Sequence, residues 1–490
     1  MARSWLAIVI VATLGGAEAL AGGIGCELDG LKDKQEIDAY AAELRAHGPA
    51  HFDALLAHYD ACVADVAERA RKVHEAVDSK EAVRSLDEAH AAAERARSVV
   101  DAVAGQRDAT VSRLFWYTDL NEAKAAAAES GNPILSLRML GKLTDEFSCA
   151  NSRYFRTALY SNKEVSDYLR EHYVLHWQSV RPVPRVTIDF GDGRKLERTV
   201  TGNSAHYVLD AEGRPLDALP GLYGPKAFSA WLTRSDNLAH ACAIAASDEA
   251  RQEKLLQYHD RRRQVIDGAF RADLAKVAPQ LLPTNSPPAE LVSVQTEGKA
   301  AIESPPVSAA NQRAVAKTEL EAPIVEGTAV LANERAVSKT AVEAPIVDNM
   351  LPSDAVLAAQ DADLWGQIAA LHSDEARLDE SSIEVMRREN PDARLAGAAA
   401  FAKYRVEDPI VRLARSFETA IATDTVKNEY LLHRRIHEWY CRREASEDVE
   451  ALNERVYAEL FLTPSSDPWL GLAPANAYTA LTDGGLSAAD

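Results

Sequence analysis

Between Ile134 and Val180 the chain places two short apolar runs, Ile134 to Leu140 and Tyr173 to Val180, on either side of a stretch with helical character. Short apolar runs bounded by turn-forming residues read as strands, and Gly131-Asn132-Pro133 opens the first of them. The intervening helix begins at Ser148-Cys149-Ala150-Asn151-Ser152. This succession of strand, helix and strand reads as mixed α/β. A cysteine at a helix start meets the positive end of the helix dipole and the unpaired N–H groups of the first turn. Both favour the thiolate, so Cys149 is expected to carry a lowered pKa.

The α/β character extends over about 112–235. Asp119 to Ser130 is an alanine-rich amphipathic helix that Gly131 ends. Val186 to Ile188 and Leu196 to Val200 flank Gly191-Asp192-Gly193, a hairpin signal. His206 to Leu209 is a further strand, with a turn at Asp210-Ala211-Glu212-Gly213. A closing helix starts near Ala227 and is expected to run on through Cys242 as a helical extension over 236–278.

Helical segments flank this block. Phe52, Leu56, Tyr59, Val63, Val66, Ala70, Val73 and Val77 recur at spacings of four and three. That is the seam of paired helices. Asp78-Ser79-Lys80-Glu81 interrupts it and caps a new helix, and Ala82, Leu86, Ala89, Ala93, Ala96, Val100 and Val103 carry it back. Residues 27–110 thus read as an antiparallel, coiled-coil-like hairpin that serves as a spacer or as an arm for homo-oligomerisation. Residues 354–470 read as a helical domain followed by a tail at 471–490. Between them, 279–353 is a linker poor in aromatics. It holds a repeat, NQRAVAKTELEAPIVEG at Asn311–Gly327 and NERAVSKTAVEAPIVDN at Asn333–Asn349. The repeat is either a duplicated tether or a pair of short docking motifs that add a strand to a sheet edge.

Arg3, the apolar run Trp5 to Leu14 and Ala19-Leu20-Ala21 form a secretory signal over 1–21, which predicts an exported protein, periplasmic or secreted. Lipid attachment at Cys26 is a less favoured variant, because Gly23 stands where such signals usually carry leucine. No other stretch reaches the roughly 18 apolar residues of a membrane-spanning helix. The net charge of −20 repels phosphate backbones and excludes nucleic acid as a natural partner. Five scattered cysteines, with no C-x-x-C, do not make a disulfide framework.

Trp116, the helix Asp119 to Ser130, Asn132-Pro133-Ile134 opening a strand, Cys149 at a helix start and Gly202-Asn203-Ser204 before the next strand occur in a recognisable order. In these residues segment 112–235, roughly a quarter of the chain, resembles the thioredoxin-fold superfamily. The resemblance implies a central thioredoxin-like α/β domain with Cys149 in the nucleophile position. Ser152 falls where the resolving cysteine would be, and Ser204 near where a cis-proline would face the nucleophile. A monothiol Cys-x-x-Ser can attack a disulfide, but another thiol must release the adduct. Ser152 is expected to hydrogen-bond the thiolate, with Arg153 and Arg181 adding positive charge nearby.

Three functional readings follow. In the first, Cys149 is a structural thiol and the chain is a scaffold that binds protein partners. In the second, the chain exchanges thiols and disulfides through Cys149, Ser152 and Ser204. In the third, Glu429, His433, His437 and Cys441, repeating every fourth residue, offer a metal-ligating helix stripe centred on His433 and His437. No organic cofactor is implied, since no Gly-rich phosphate loop is present.

Overall fold

The computed structural model of the chain describes residues 28, 31, 34–75, 79–282, 362–390 and 409–472. The signal-peptide and lipidation readings, the linker repeat and nearly all of the tail lie outside the described residues. Residues Met1–Asp273 with Asp361–Asp490 form one compact unit and Leu274–Gln360 a second.

The centre of the first unit is a five-stranded mixed sheet with flanking helices. Its strands are β1 (Trp116–Tyr117), β2 (Ile134–Leu140), β3 (Val174–Arg181), β6 (Ser204–Leu209) and β7 (Pro215–Pro220), in the order β1-β3-β2-β6-β7. The first three run parallel, and β6 and β7 are antiparallel to their neighbours. This arrangement is compatible with a thioredoxin-like fold. Every residue of β2 is buried, as expected of a central strand covered on both faces. The sequence pattern misses β7 because prolines stand at both of its ends. An edge strand tolerates them, since it needs only one row of ladder hydrogen bonds.

Helix α4 (Leu120–Ser130) packs Ala123 and Ala127 on one sheet face, and the Asp119 carboxylate caps it by accepting from Asn121 and Glu122 N–H. The opposite face carries α5 (Ala150–Tyr154), continued by a π-turn at Phe155–Leu159, and α6 (Lys163–His172). It also carries α7 (Pro225–Ala243), whose Phe228 and Trp231 meet the His206 ring with centroids 4.9 and 6.4 Å apart. The expected helical extension is divided: α7 ends before Ile244, and α8 (Asp248–Val277) starts after Ser247, whose hydroxyl accepts from Ala250 N–H. The connection from β3 to β6 is a separate ribbon, β4 (Arg185–Asp189) with β5 (Lys195–Thr199), at the expected hairpin.

Before the sheet, α1 (Lys34–Ala46) precedes two antiparallel helices, α2 (Pro49–Glu75) and α3 (Lys80–Ala104). Ser79 caps α3 by accepting from Ala82 N–H at 3.2 Å. Only the base of the pair is a core, where Phe52, Leu55 and Leu56 meet Val99, Val100 and Val103. Farther out the seam is solvated, and Val63 and Val83 are 43% and 48% exposed.

Beyond residue 361 come α9 (Ala362–Leu371), α10 (Glu380–Glu389) and α11 (Pro409–Lys427), which passes through a π-turn at Asn428–His433 into α12 (Arg434–Cys441). Helix α13 (Val449–Arg455) and a π-turn at Val456–Leu460 follow. Ile436, Trp439, Val449, Leu452 and Val456 share a core with Ile134, Ala205, Tyr207 and Ala218 of the sheet.

The segment Leu219-Pro220-Gly221-Leu222-Tyr223-Gly224-Pro225 seats these helices. Gly224 N–H donates to Thr425 Oγ1 at 2.8 Å, and Asn428 Nδ2 donates to Leu222 O at 2.9 Å. A Cβ on Gly224 would stand 2.3 Å from Glu375 O, a backbone atom that cannot swing aside. Gly224→Ala is therefore expected to cost about 2 kcal/mol or more in a denaturant titration, as steric conflicts with backbone do.

A second expectation concerns pH. The His372 imidazole bonds Glu375 at 3.0 Å and Asp273 at 2.7 Å. The Glu375 bond, opposed by burial and aided by Asp273, raises its pKa from 6.5 to about 9. A raised histidine stabilises the fold fully below its unfolded pKa and ceases to do so as pH climbs through the folded one. Stability of the wild type should thus fall by about 1–2 kcal/mol, after solvent screening, between about pH 6.5 and 9. His372→Gln should flatten that part of the pH profile.

Candidate functional site

Cys149 is the N-cap of α5, at the helix start where the sequence places it. Its surroundings differ from the expectation. The residue is 0% exposed, in a cluster with Leu140, Tyr457 and Leu470, flanked by Val180, Val183 and Phe461. Two of these elements are strand-end and loop, but Tyr457, Phe461 and Leu470 come from the last helix and the turn after it. They pack in one apolar cluster with the cysteine.

Burial pushes the Cys149 thiol above its ordinary pKa, outweighing the Ser152 N–H bond and the Arg153 charge. The expected lowering is therefore reversed, because a helix N-terminus favours a thiolate less than full desolvation disfavours it. The bond to the sulfur also differs from the sequence reading. The backbone N–H of Ser152 donates to Sγ at 3.4 Å, while the buried Ser152 hydroxyl has no hydrogen-bond partner among the described residues. Ser204 opens β6 as expected, is buried, and its hydroxyl accepts from Asn151 Nδ2 at 2.9 Å. It bonds the cysteine helix rather than facing open space.

The two arginines are structural clamps. Arg153 donates to Ser148 O and to Thr199 Oγ1, tying the start of α5 to the ribbon. Arg181 donates to Thr463 O at 2.7 Å and Asp467 O at 2.9 Å, and Tyr457 Oη donates to Asn203 O at 3.0 Å. These bonds tie residues 457–467 to the end of β3 and to the turn before β6.

A second polar constellation lies beneath the Leu219–Pro225 segment. His433 and His437, on adjacent turns across the junction of the π-turn with α12, are both 0% exposed. They face Asp217 of β7, also fully buried. His433 Nε2 lies 3.5 Å from Asp217 Oδ1, and donor atoms of Asp217, His433 and His437 all fall within 4.8 Å of one another. His433 Nδ1 donates to Glu429 at 2.8 Å. Asp217 Oδ2 accepts from Trp231 Nε1 at 3.0 Å and Tyr258 Oη at 2.9 Å.

His259 completes the arrangement. Its Nε2–H donates to Leu216 O at 3.0 Å, because a carbonyl can only accept. In the neutral ring Nδ1 is then the acceptor, and it takes Nδ1–H of His437 at 2.8 Å. Burial holds both rings neutral, His259 at about 4 and His437 well below its ordinary value. His437 Nε2 is consequently a bare lone pair, buried and without a hydrogen-bond partner among the described residues. Burial opposes a charge on His433, but the Glu429 carboxylate, aided by Asp217, prevails and raises it to about 9. Asp217 is raised by burial yet held well below the carboxylate range by His433.

Of the helix stripe, His433 and His437 do come together with a common focus, and Glu429 supports His433. Cys441 stays half-buried and takes no part in the cluster; its charged neighbours are Arg263 and Asp260. Asp217 and His259 are not legible as site residues, because they lie some two hundred positions upstream within a proline-flanked strand and a charged helix. The His-x-x-x-His spacing is the one sequence signal of the cluster.

No protein-family model, curated protein or solved structure significantly matches the chain. No helix among the described residues is long and apolar enough to cross a membrane.

Truncating the cover should expose the thiol. Tyr457→Ala is expected to cost about 3–4 kcal/mol, as large-to-small core substitutions do, and to speed alkylation of Cys149 in folded protein. Tyr457→Phe, which loses only the hydroxyl bond to Asn203, should cost about 1 kcal/mol and leave Cys149 unreactive.

Proposed function

We propose that the chain is an exported thioredoxin-like scaffold that binds protein partners and has little or no redox activity. The observation that carries this reading is the cover of Tyr457, Phe461 and Leu470 over Cys149. A disulfide-exchange nucleophile needs a thiolate that a substrate sulfur can approach. Here the sulfur is out of reach and its pKa is pushed the wrong way. The strand order β1-β3-β2-β6-β7 supports the thioredoxin-like assignment. The signal at 1–21 supports export.

A partner surface is offered by the ribbon. Val186, Ile188 and Phe190 follow one another on one face of it and are 42%, 47% and 54% exposed. Such a contiguous apolar row on a polar protein marks an interaction surface. Its outer edges also leave backbone groups open for strand addition.

The test joins both halves of the reading. Glutathione adduct formation is followed by peptide mass, with Cys149→Ser as blank and the half-buried Cys62 and Cys441 as internal references. Cys149 is expected to react only after unfolding. A photocrosslinking amino acid replacing Phe190 should give a defined cross-linked product in extracts of the native host, and Ile188→Asp should abolish it. Fast adduct formation on folded Cys149 would instead establish the monothiol exchange enzyme, and absence of any cross-linked product would remove the scaffold.

A further inference from the structure

We propose that Asp217, His433 and His437 form a binding site for one divalent transition-metal cation of the zinc class. Two imidazole nitrogens and one carboxylate oxygen are a donor set that suits zinc, copper, iron or nickel, and not the hard cations that prefer oxygen alone.

Three observations converge on the space between these side chains. The donor atoms lie within 4.8 Å of one another, and the His433–Asp217 separation of 3.5 Å is close to the edge of roughly 3.4 Å that tetrahedral zinc with bonds near 2.0–2.1 Å requires. Nε2 of His437 is buried with no hydrogen-bond partner among the described residues, and Nε2 of His433 has only the Asp217 carboxylate beside it, at 3.5 Å. For His437 the chain running from Leu216 O through His259 leaves that nitrogen without a proton. A buried lone pair within 4.8 Å of a carboxylate is unfavourable unless something positive lies beside both.

The other side of each ligand is already occupied. Glu429 accepts from His433, His259 accepts from His437, and Trp231 and Tyr258 donate to Asp217. Metal-ligating imidazoles commonly donate their second N–H in this way, which fixes ring orientation and tautomer. Glu429 and His259 are thus positioning residues. Glu429 is in turn held by Arg262 at 3.1 Å.

A cavity of about 260 Å³ adjoins the cluster, lined among others by Tyr223, Trp231, Arg262 and Glu429. Trp231 and Glu429 each bond a proposed ligand, while Asp217, His433 and His437 themselves do not line the cavity and are fully buried. The inference stands apart from the scaffold reading, since it involves neither Cys149 nor the ribbon.

The test uses the full chain, stripped with chelator, reloaded with zinc chloride and dialysed. Elemental analysis should then give about one zinc per chain, with a rise in Tm that magnesium does not produce. Asp217→Asn and His437→Gln, close in volume to the originals, should abolish retention. Glu429→Gln should weaken it about 10–100-fold, as loss of a supporting hydrogen bond does. His240→Gln, outside the cluster, should bind as the wild type does. Cobalt(II) added to the wild type should give visible absorption of a tetrahedral site, a readout that does not depend on any variant folding. Wild type that retains no zinc and shows no cobalt absorption would overturn the proposal and leave His433 as an imidazolium bridging Asp217 and Glu429. Undiminished binding by both Asp217→Asn and His437→Gln would overturn it equally.

Discussion

The sheet face formed by Ile134, Ala205, Tyr207 and Ala218 has to be covered, and the chain's local connections do not cover it. A sheet of this kind is buried on both sides by helices supplied in the crossovers between its strands. Here the link from β3 to β6 is a solvent-exposed ribbon, so on this face only α4 comes from the neighbouring sequence. Ile436, Trp439, Val449, Leu452 and Val456 provide the remainder. The hydrophobic contact between a strand sheet and helices more than two hundred residues downstream is the interaction on which the other features depend.

Both polar sites are products of that docking. As α11, α12 and α13 settle on the sheet, α11 and α12 bring His433 and His437 against Asp217, and the segment after α13 brings Tyr457 into the cluster of Cys149. One end of the docked segment creates a polar focus and the other removes one. Arg138 shows how tightly the layers are joined. It lies in the middle of β2, fully buried, and reaches Glu450 of α13 at 2.8 Å. Desolvation lowers its pKa, which the Glu450 charge partly restores. Such a buried cation is tolerable only with its partner in place.

Much of the local structure was legible in the sequence, because it follows from period, caps and turn residues. Ile134–Leu140, the Asp119 cap, the Ser79 cap and the hairpin at Gly191-Asp192-Gly193 all belong to this class. The position of Cys149 at a helix start was legible too, but its state was not. Sequence supplies the dipole and the N–H groups, whereas solvation of the sulfur is decided by Tyr457 and Leu470, which no local pattern connects to it. The same limit separates His433 and His437, visible through their spacing, from Asp217 and His259, which only the tertiary fold brings near. β7 escaped for a different reason: its prolines obey an edge-strand rule that applies only once the strand order is known.

The distant origin of the covering helices has a temporal side. A chain emerging from its N-terminus completes β7 and α7 long before residues 434–460 exist, so the apolar face stays open throughout synthesis of α8 and the residues after it. Non-local closure of this kind is slow and leaves surface available to chaperones or to aggregation in the meantime. The sensitive quantity is waiting time. A protein built in this way is vulnerable while it is being made, and that vulnerability ends only when α12 and α13 have arrived.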